Sequence, residues 1–422
     1  MIGRVGHGAP SSSHQDAQAT GKHATAMSGL GLAADHSGEL GDLHNTSLAI
    51  ASGTGPWQHP GYFAFKNNEV SRYGANGIYA LQRDRVKDCL NLRHMRPVIA
   101  TVPVHLPPAH LHQAQHSTSR RESQANMADQ PRIHDIHDPK TGTWQYIVAD
   151  PATKTAAIID SVLDFDPATA KTSTTNADSL LALVKENGYK VDLILETHAH
   201  ADHLTAAGYL QSELGKTQGK KPATGIGKRI KEVQERFGQR YQIDAGECSN
   251  AFDFLWDDGD QLAIGNLVGT VLYLPGHTPD HVGYRIGDNI FCGDSLFNAD
   301  VGSARCDFPG GDAKKLFASV RKLLGHPEQF KIWTGHDYPP ESRDGPVAAM
   351  TVAEQRARNK HLKDGVAEDE FVKWRTERDA TLSEPRLIHQ ALQVNIRAGK
   401  LPAETAAGDR LLHVPIKTEK SW

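Results

Sequence analysis

The run Thr197-His198-Ala199-His200-Ala201-Asp202-His203 constrains this chain more than any other segment. A threonine and four side chains able to ligate a metal are packed into one short stretch. Burying so many polar groups side by side is costly unless a cation or full hydrogen bonding offsets it. The run follows Val191–Leu195, a short apolar stretch that reads as a buried strand, and precedes Leu204–Leu214, which reads as a helix. A strand, a loop and a helix in that order place the polar groups at a strand end, where rigid scaffolds present chemistry.

Three further polar residues stand at the ends of predicted strands. They are His277 in Pro275-Gly276-His277-Thr278, Asp294 in Cys292-Gly293-Asp294-Ser295, and His336 in Gly335-His336-Asp337-Tyr338. Each follows a glycine, which lets the backbone turn sharply. Taken singly, such residues are common and carry little information. Beside the histidine-rich run they complete a set of neutral imidazoles and carboxylates suited to Zn²⁺, Mn²⁺ or Fe²⁺, in one or two adjacent positions.

The rest of the chain is organised around this set. Residues 1–60 are rich in Gly, Ser, Ala and His and read as disordered, since they lack the apolar surface to offset chain entropy. One helix is predicted at Ile78–Leu92. From Met95 to Arg121 there is no acidic residue, and the stretch 95–126 has the composition of a targeting segment, although Pro97, Pro103, Pro107 and Pro108 oppose an amphipathic helix. An N-terminal extension at 1–130, a catalytic domain at 131–402 and a tail at 403–422 are the expected divisions.

Within that domain the pattern predicts strands at Thr143–Ala149, Thr155–Ile159, Gln261–Ile264, Gly269–Leu274, Val282–Ile286, Asn289–Cys292 and Lys331–Thr334. Helices are predicted at Asp178–Asn187, with Asn176 as N-cap and Gly188 as stop, and at Ala313–Leu324, Val347–Leu362 and Glu368–Leu382. Uneven alternation points to an α/β fold of sheets covered by helices.

A formal net charge of −4 without long blocks of one sign leaves no nucleic-acid footprint, and no apolar stretch of transmembrane length occurs. Cys89, Cys248, Cys292 and Cys306 form no C-x-x-C pair, which favours a reducing compartment.

Thr197–His203, Pro275–Thr278, Gly293–Leu296 and Gly335–Tyr338, in this order, resemble the signature of the metallo-β-lactamase superfamily, from about Pro131 to Pro402. The resemblance implies a four-layered αβ/βα sandwich with the metal at one edge of its two sheets. Within the superfamily the chain looks most like the persulfide (sulfur) dioxygenases of the ETHE1-like and Blh-like types. Gly302–Gly311, His336-Asp337-Tyr338 and the segment Thr351–Arg356 with Asn359 carry that likeness. The stretch Leu204–Gly238 is closer to the Blh-like branch.

The likeness implies one Fe(II) per chain held by His198, His277 and Asp294, with open positions for O₂ and substrate. The implied reaction converts glutathione persulfide and O₂ to sulfite and glutathione. His200, Asp202, His203 and His336 would orient those ligands or serve a second site. Arg305 would hold a glutathione carboxylate, with an ion pair to Asp300 or Asp307 as the simpler role, and Tyr338 would line the pocket. Cys306 is either a thiol near that pocket or an ordinary buried cysteine. A homodimer is a candidate assembly, and the expected compartment is mitochondrial or cytoplasmic.

Two departures bear on the substrate. Asp280 and His281 follow His277-Thr278-Pro279, where the family often has cysteine, so an acid could alter the pocket and His281 could add a ligand. Trp333-Thr334-Gly335 leads into His336, where the approach is usually small and hydrophobic. Two rival readings share the same residues: a glyoxalase II-like thioester hydrolase using two zinc ions, and a non-catalytic metal-binding protein on the same fold.

Overall fold

The computed structural model describes residues 130–420. The predicted helix Ile78–Leu92, the targeting segment and the extension up to residue 129 lie outside the described residues.

Among the described residues, strands β1 (Arg132–Asp138), β2 (Thr143–Ala149), β3 (Thr155–Ile159), β6 (Lys190–Leu195), β8 (Ala223–Gly227) and β9 (Phe254–Trp256) make one six-stranded sheet in the order β1-β2-β3-β6-β8-β9. A second sheet joins β10 (Gln261–Ile264), β11 (Leu267–Tyr273), β12 (Val282–Ile286), β13 (Asn289–Gly293), β14 (Lys331–Thr334) and β15 (Ala349–Thr351) in sequence order. The strands β4 (Val162–Asp166), β5 (Lys171–Ser173) and β7 (Leu204–Thr205) form a small third sheet.

The helices are α1 (Thr175–Asn187), α2 (Ala207–Gln218), α3 (Ile230–Tyr241), α4 (Ala245–Ser249), α5 (Ala313–Leu324), α6 (Val352–Arg358), α7 (Glu368–Asp379) and α8 (Ile388–Asn395).

Three of the four apolar cores among the described residues stack the sheets and helices into four layers. Tyr146, Val148, Ile159 and Leu195 of the first sheet meet Ile264, Val271, Tyr284 and Phe291 of the second. The opposite face of the first sheet, with Ile147, Ile158 and Ile194, packs on Leu180, Leu210 and Val394 of α1, α2 and α8. The outer face of the second, with Ile290 and Ile332, packs on Leu316, Val320 and Phe371 of α5 and α7. Central strands are therefore buried on both faces, and β2 is buried at every position, its polar Thr143 and Gln145 included.

Several predicted elements occur with the expected bounds, among them β2, β3, β10, β12, β14 and α5. Others are corrected. Thr174, not Asn176, precedes α1, and Asn176 instead binds Asp164 through its backbone N–H and its side chain, at 2.9 Å each. The span Leu204–Leu214 begins as strand β7 before α2 starts at Ala207, and Val347–Leu362 divides into β15 and the short α6. Residues 403–420 contain no helix or strand; Gln393 grips them by exchanging two hydrogen bonds with the His413 backbone.

Gly276 shows how tightly the connections are set. Its φ of +142° disfavours a side chain, and a Cβ there would lie 2.3 Å from the Leu316 nitrogen on α5. Gly276→Ala should lower the unfolding free energy by more than about 2 kcal/mol, since backbone on both sides must shift. Gly345→Ala, with open space around it, should change it by less than about 1 kcal/mol. Denaturant unfolding of both variants checks the contrast, and equal effects would contradict this account of the packing.

Candidate metal centre

The first sheet supplies Asp160 at the end of β3 and the run Thr197–His203 at the end of β6. The second supplies His277 and His281 between β11 and β12, Asp294 directly after β13, and His336 just beyond β14. The structure thus gathers all seven ligand-type residues of the sequence reading at one edge of both sheets.

His198, His277 and Asp294 offer ligand atoms that all lie within 4.8 Å of one another. Their orientations follow from the atoms behind them. The Thr197 hydroxyl donates to Asp160 Oδ2 at 2.8 Å, so its oxygen is left to accept from His198 Nδ1 at 3.0 Å. That assigns the proton to Nδ1 and leaves the buried Nε2 of His198 as a lone pair with no hydrogen-bond partner. His277 Nδ1 donates to the Arg305 carbonyl at 2.7 Å, which frees its Nε2, 3.7 Å from Asp294 Oδ2. Asp294 Oδ1 is buried and likewise unpartnered. Two imidazole lone pairs and a carboxylate facing one point are what a divalent ion needs, and these unpartnered atoms show that the donor set fits one.

A second cluster adjoins the first. His200, Asp202 and His203 also present ligand atoms within 4.8 Å of one another. His200 directs Nε2 at Asp160 Oδ1 (3.1 Å) and Glu196 Oε2 (3.3 Å), leaving Nδ1 unpartnered. Asp202 Oδ2 lies 3.1 Å from His203 Nδ1 and 3.2 Å from His336 Nε2, and His203 Nε2 has no partner. His336 Nε2 also lies 3.5 Å from Asp294 Oδ2, so it links the two clusters.

The electrostatics separate the histidines. Burial pushes His198 well below the ordinary histidine range, and the neighbouring His200, His281 and His277 push the same way, so it is neutral and free to donate its lone pair. Burial alone would lower His336 too, but the Asp294 and Asp202 carboxylates outweigh it and raise the group to about 9. His200 likewise rises well above its usual value, burial being overcome by Asp160 and Glu196. A site that draws protons onto buried imidazoles at neutral pH is one that favours a cation.

The contacts of several further residues bear on the roles expected of them. His281 is no ligand: its Nε2 accepts the Asp294 backbone N–H at 3.0 Å, its Nδ1 lies 3.4 Å from Ser295 Oγ, and its ring stacks on His198. Asp280 is buried and accepts the Ala199 N–H at 2.8 Å, so it anchors the metal loop. The Arg305 guanidinium is already forked onto Asp307, with a further bond to the Ser383 carbonyl at 2.8 Å; its carbonyl, not its charge, serves the centre. Tyr338 stacks on His336 with ring centroids 5.6 Å apart and is 51% exposed, which puts it at the rim. Cys306 is buried and its thiol is pushed far up by that burial, which makes it an unreactive core residue.

Sequence reading missed Asp160, Glu196 and Asn395. Asp160 follows the apolar run Ala156–Ile159 as Asp294 follows β13, and that parallel was the available signal. Asn395 gave none. It lies on α8, yet its Nδ2 donates to the carbonyls of His200 and His203 at 2.8 Å each, and its Oδ1 accepts the Thr205 N–H at 2.8 Å.

A family model described as the metallo-beta-lactamase superfamily matches residues 139–336. Glyoxylase B2 of Dictyostelium discoideum is 43% identical over 293 residues, covering 69% of this chain and 98% of that protein. The mitochondrial persulfide dioxygenase ETHE1 of Mus musculus is 29% identical over 284 residues, covering 66% and 94%. The crystal structure of ETHE1 from Myxococcus xanthus superposes with a TM-score of 0.50 at 28% identity, covering 64% of this chain and all of that one.

Asn395→Ala should cost about 2–4 kcal/mol of unfolding free energy, because it strips partners from three buried backbone groups. It should also weaken Zn(II) retention, measured by competition with a chelator. Wild-type stability together with wild-type retention would contradict the assigned role.

Proposed function

The chain belongs to the metallo-beta-lactamase superfamily, and from that membership we propose that it is a persulfide dioxygenase with one Fe(II) held by His198, His277 and Asp294. The convergence of two free imidazole nitrogens and one unpartnered carboxylate oxygen carries this reading. Such a facial set leaves the far side of an ion open to two reactants. The persulfide dioxygenase named among the relatives, and the match to a solved ETHE1 structure over the whole of that chain and 64% of this one, support the same choice.

The reaction takes the terminal sulfur of glutathione persulfide to sulfite. O₂ supplies two of the oxygens and water the third, with glutathione released. Fe(II) supplies the means of joining triplet O₂ to a closed-shell persulfide. The protein's part is to fix the donors. Thr197 and Asp160 hold His198, the Arg305 carbonyl holds His277, and His281 holds the Asp294 backbone. Holding both reactants together removes the entropic cost of their meeting. Tyr338, exposed above His336, lines the approach of the glutathione moiety.

A second reading has an observation of its own. The unpartnered His200 Nδ1 and His203 Nε2 beside Asp202 suit a second cation, and two zinc ions would make a thioester hydrolase of the glyoxalase II type. The relative named glyoxylase B2 supports that alternative.

Anaerobic purification with metal analysis, followed by oxygen uptake on glutathione persulfide and hydrolysis of S-lactoylglutathione, separates them. We expect one iron per chain, O₂ consumed with sulfite formed, and iron lost in His277→Ala. Two zinc ions with thioester hydrolysis and no O₂ uptake would overturn the dioxygenase reading.

A further inference from the structure

We propose that Asp379, on helix α7, is a positioning residue that acts on His277 through a single peptide group. The proposal rests on the reading of His277 as a metal ligand. Asp379 Oδ2 accepts the backbone N–H of Cys306 at 2.8 Å. The carbonyl on the other side of that same peptide plane belongs to Arg305, and it accepts His277 Nδ1–H at 2.7 Å. The N–H and C=O of one peptide are rigidly coplanar and electronically linked.

A carboxylate pulling on the N–H therefore enriches the carbonyl oxygen, which strengthens the bond from the imidazole. A stronger acceptor at Nδ1 makes Nε2 the better donor toward an ion and fixes the plane of the ring. The line runs from carboxylate to peptide to imidazole, with each contact at hydrogen-bonding distance.

The carboxylate is held in turn by Arg375, one helical turn earlier, with side-chain exposures of 5% for Arg375 and 8% for Asp379. A buried ion pair of this kind is a doubtful contributor to stability, because desolvation opposes the Coulombic gain. Serving the peptide beside a ligand gives it a function that burial alone does not. The adjoining turn contributes as well, since the Ser383 carbonyl accepts from the Arg305 guanidinium at 2.8 Å. The α7 region thus grips both residues of the peptide that supports His277, although it lies beyond residue 336, where the match to the family model ends.

The test uses the full chain and two probes, Zn(II) affinity by competition with a chromophoric chelator and the visible spectrum of Co(II)-loaded protein. Asp379→Asn keeps side-chain volume and an acceptor for Cys306 N–H but removes the charge. Asp379→Ala removes both. We expect Zn(II) binding to weaken about 10–100-fold in Asp379→Ala, to fall by an intermediate factor in Asp379→Asn, and the Co(II) bands to shift in both.

Asp150→Asn serves as control. It neutralises another buried carboxylate, one that binds the Asn266 and Ala152 backbone at the far end of β2 from Thr143, and it should leave both probes unchanged. Wild-type affinity and an unshifted spectrum in both Asp379 variants, with metal lost in His277→Ala, would overturn the proposal and spare the ligand assignment. Wild-type affinity in His277→Ala itself would overturn both.

Discussion

Four carboxylates, Asp160, Glu196, Asp280 and Asp294, are buried at one edge of the two sheets, and among the described residues none has a lysine or arginine within ion-pair distance. Unpaired buried charge is among the costliest things a fold can contain. Burial pushes Glu196 and Asp280 toward their neutral forms. The remaining demand falls on imidazolium at His200 and His336, or on a metal ion. Much of the architecture around the site can be read as a response to that demand. Strand ends deliver the carboxylates, glycines let the backbone close around them, and histidines fill the space between.

The scaffold meets the demand from several directions. Gly335 illustrates the tolerance, since a Cβ there would fall 2.4 Å from Asp294 Oδ1. Asp280 pins Ala199 from the β11–β12 connection, and Tyr284 on β12 donates to the Glu196 carbonyl at 2.7 Å. The C-terminal helices reach back as well, α8 through Asn395 to the histidine loop and α7 through Asp379 to the Arg305–Cys306 peptide. These helices complete the outer layers and also hold the centre, so fold and site stability are coupled through a few buried polar side chains.

How much of this was legible in the sequence follows from the range of each interaction. The histidine run, His277, Asp294 and His336 announce themselves because each pairs a polar side chain with an adjacent apolar strand and, in three cases, a glycine. The residues that orient them do not. Asp160 acts over 37 positions and carries only the faint signal of an acid following an apolar run, while Asn395 acts over 195 and carries no local pattern.

The strands of the core were readable because burial on both faces leaves near-continuous apolar runs. Edge strand β1 was not, since Arg132, His134, Asp135, His137 and Asp138 disguise its periodicity, and in β8 Gly225 and Gly227 interrupt the strand-favouring Thr224 and Ile226. Sequence leaves the Arg305 guanidinium between a substrate carboxylate and an ion pair with Asp300 or Asp307, because it cannot show how closely Asp307 engages it.

The two adjoining ligand clusters leave chemistry dependent on which of them an ion prefers. In the first, His198 and His277 are each oriented by a neutral partner and left with a free nitrogen. In the second, His200 is oriented by two carboxylates, and Asp202 is shared with His336. The central claim is that His198, His277 and Asp294 together hold one ion. Anomalous diffraction from crystals of anaerobically iron-loaded protein tests it most directly. The account predicts one iron peak, bonded to His198 Nε2, His277 Nε2 and an Asp294 oxygen at about 2.0–2.2 Å. Two peaks about 3.5–4 Å apart, the second bound by His200, Asp202 or His203, or a single ion that does not touch His277, would contradict it.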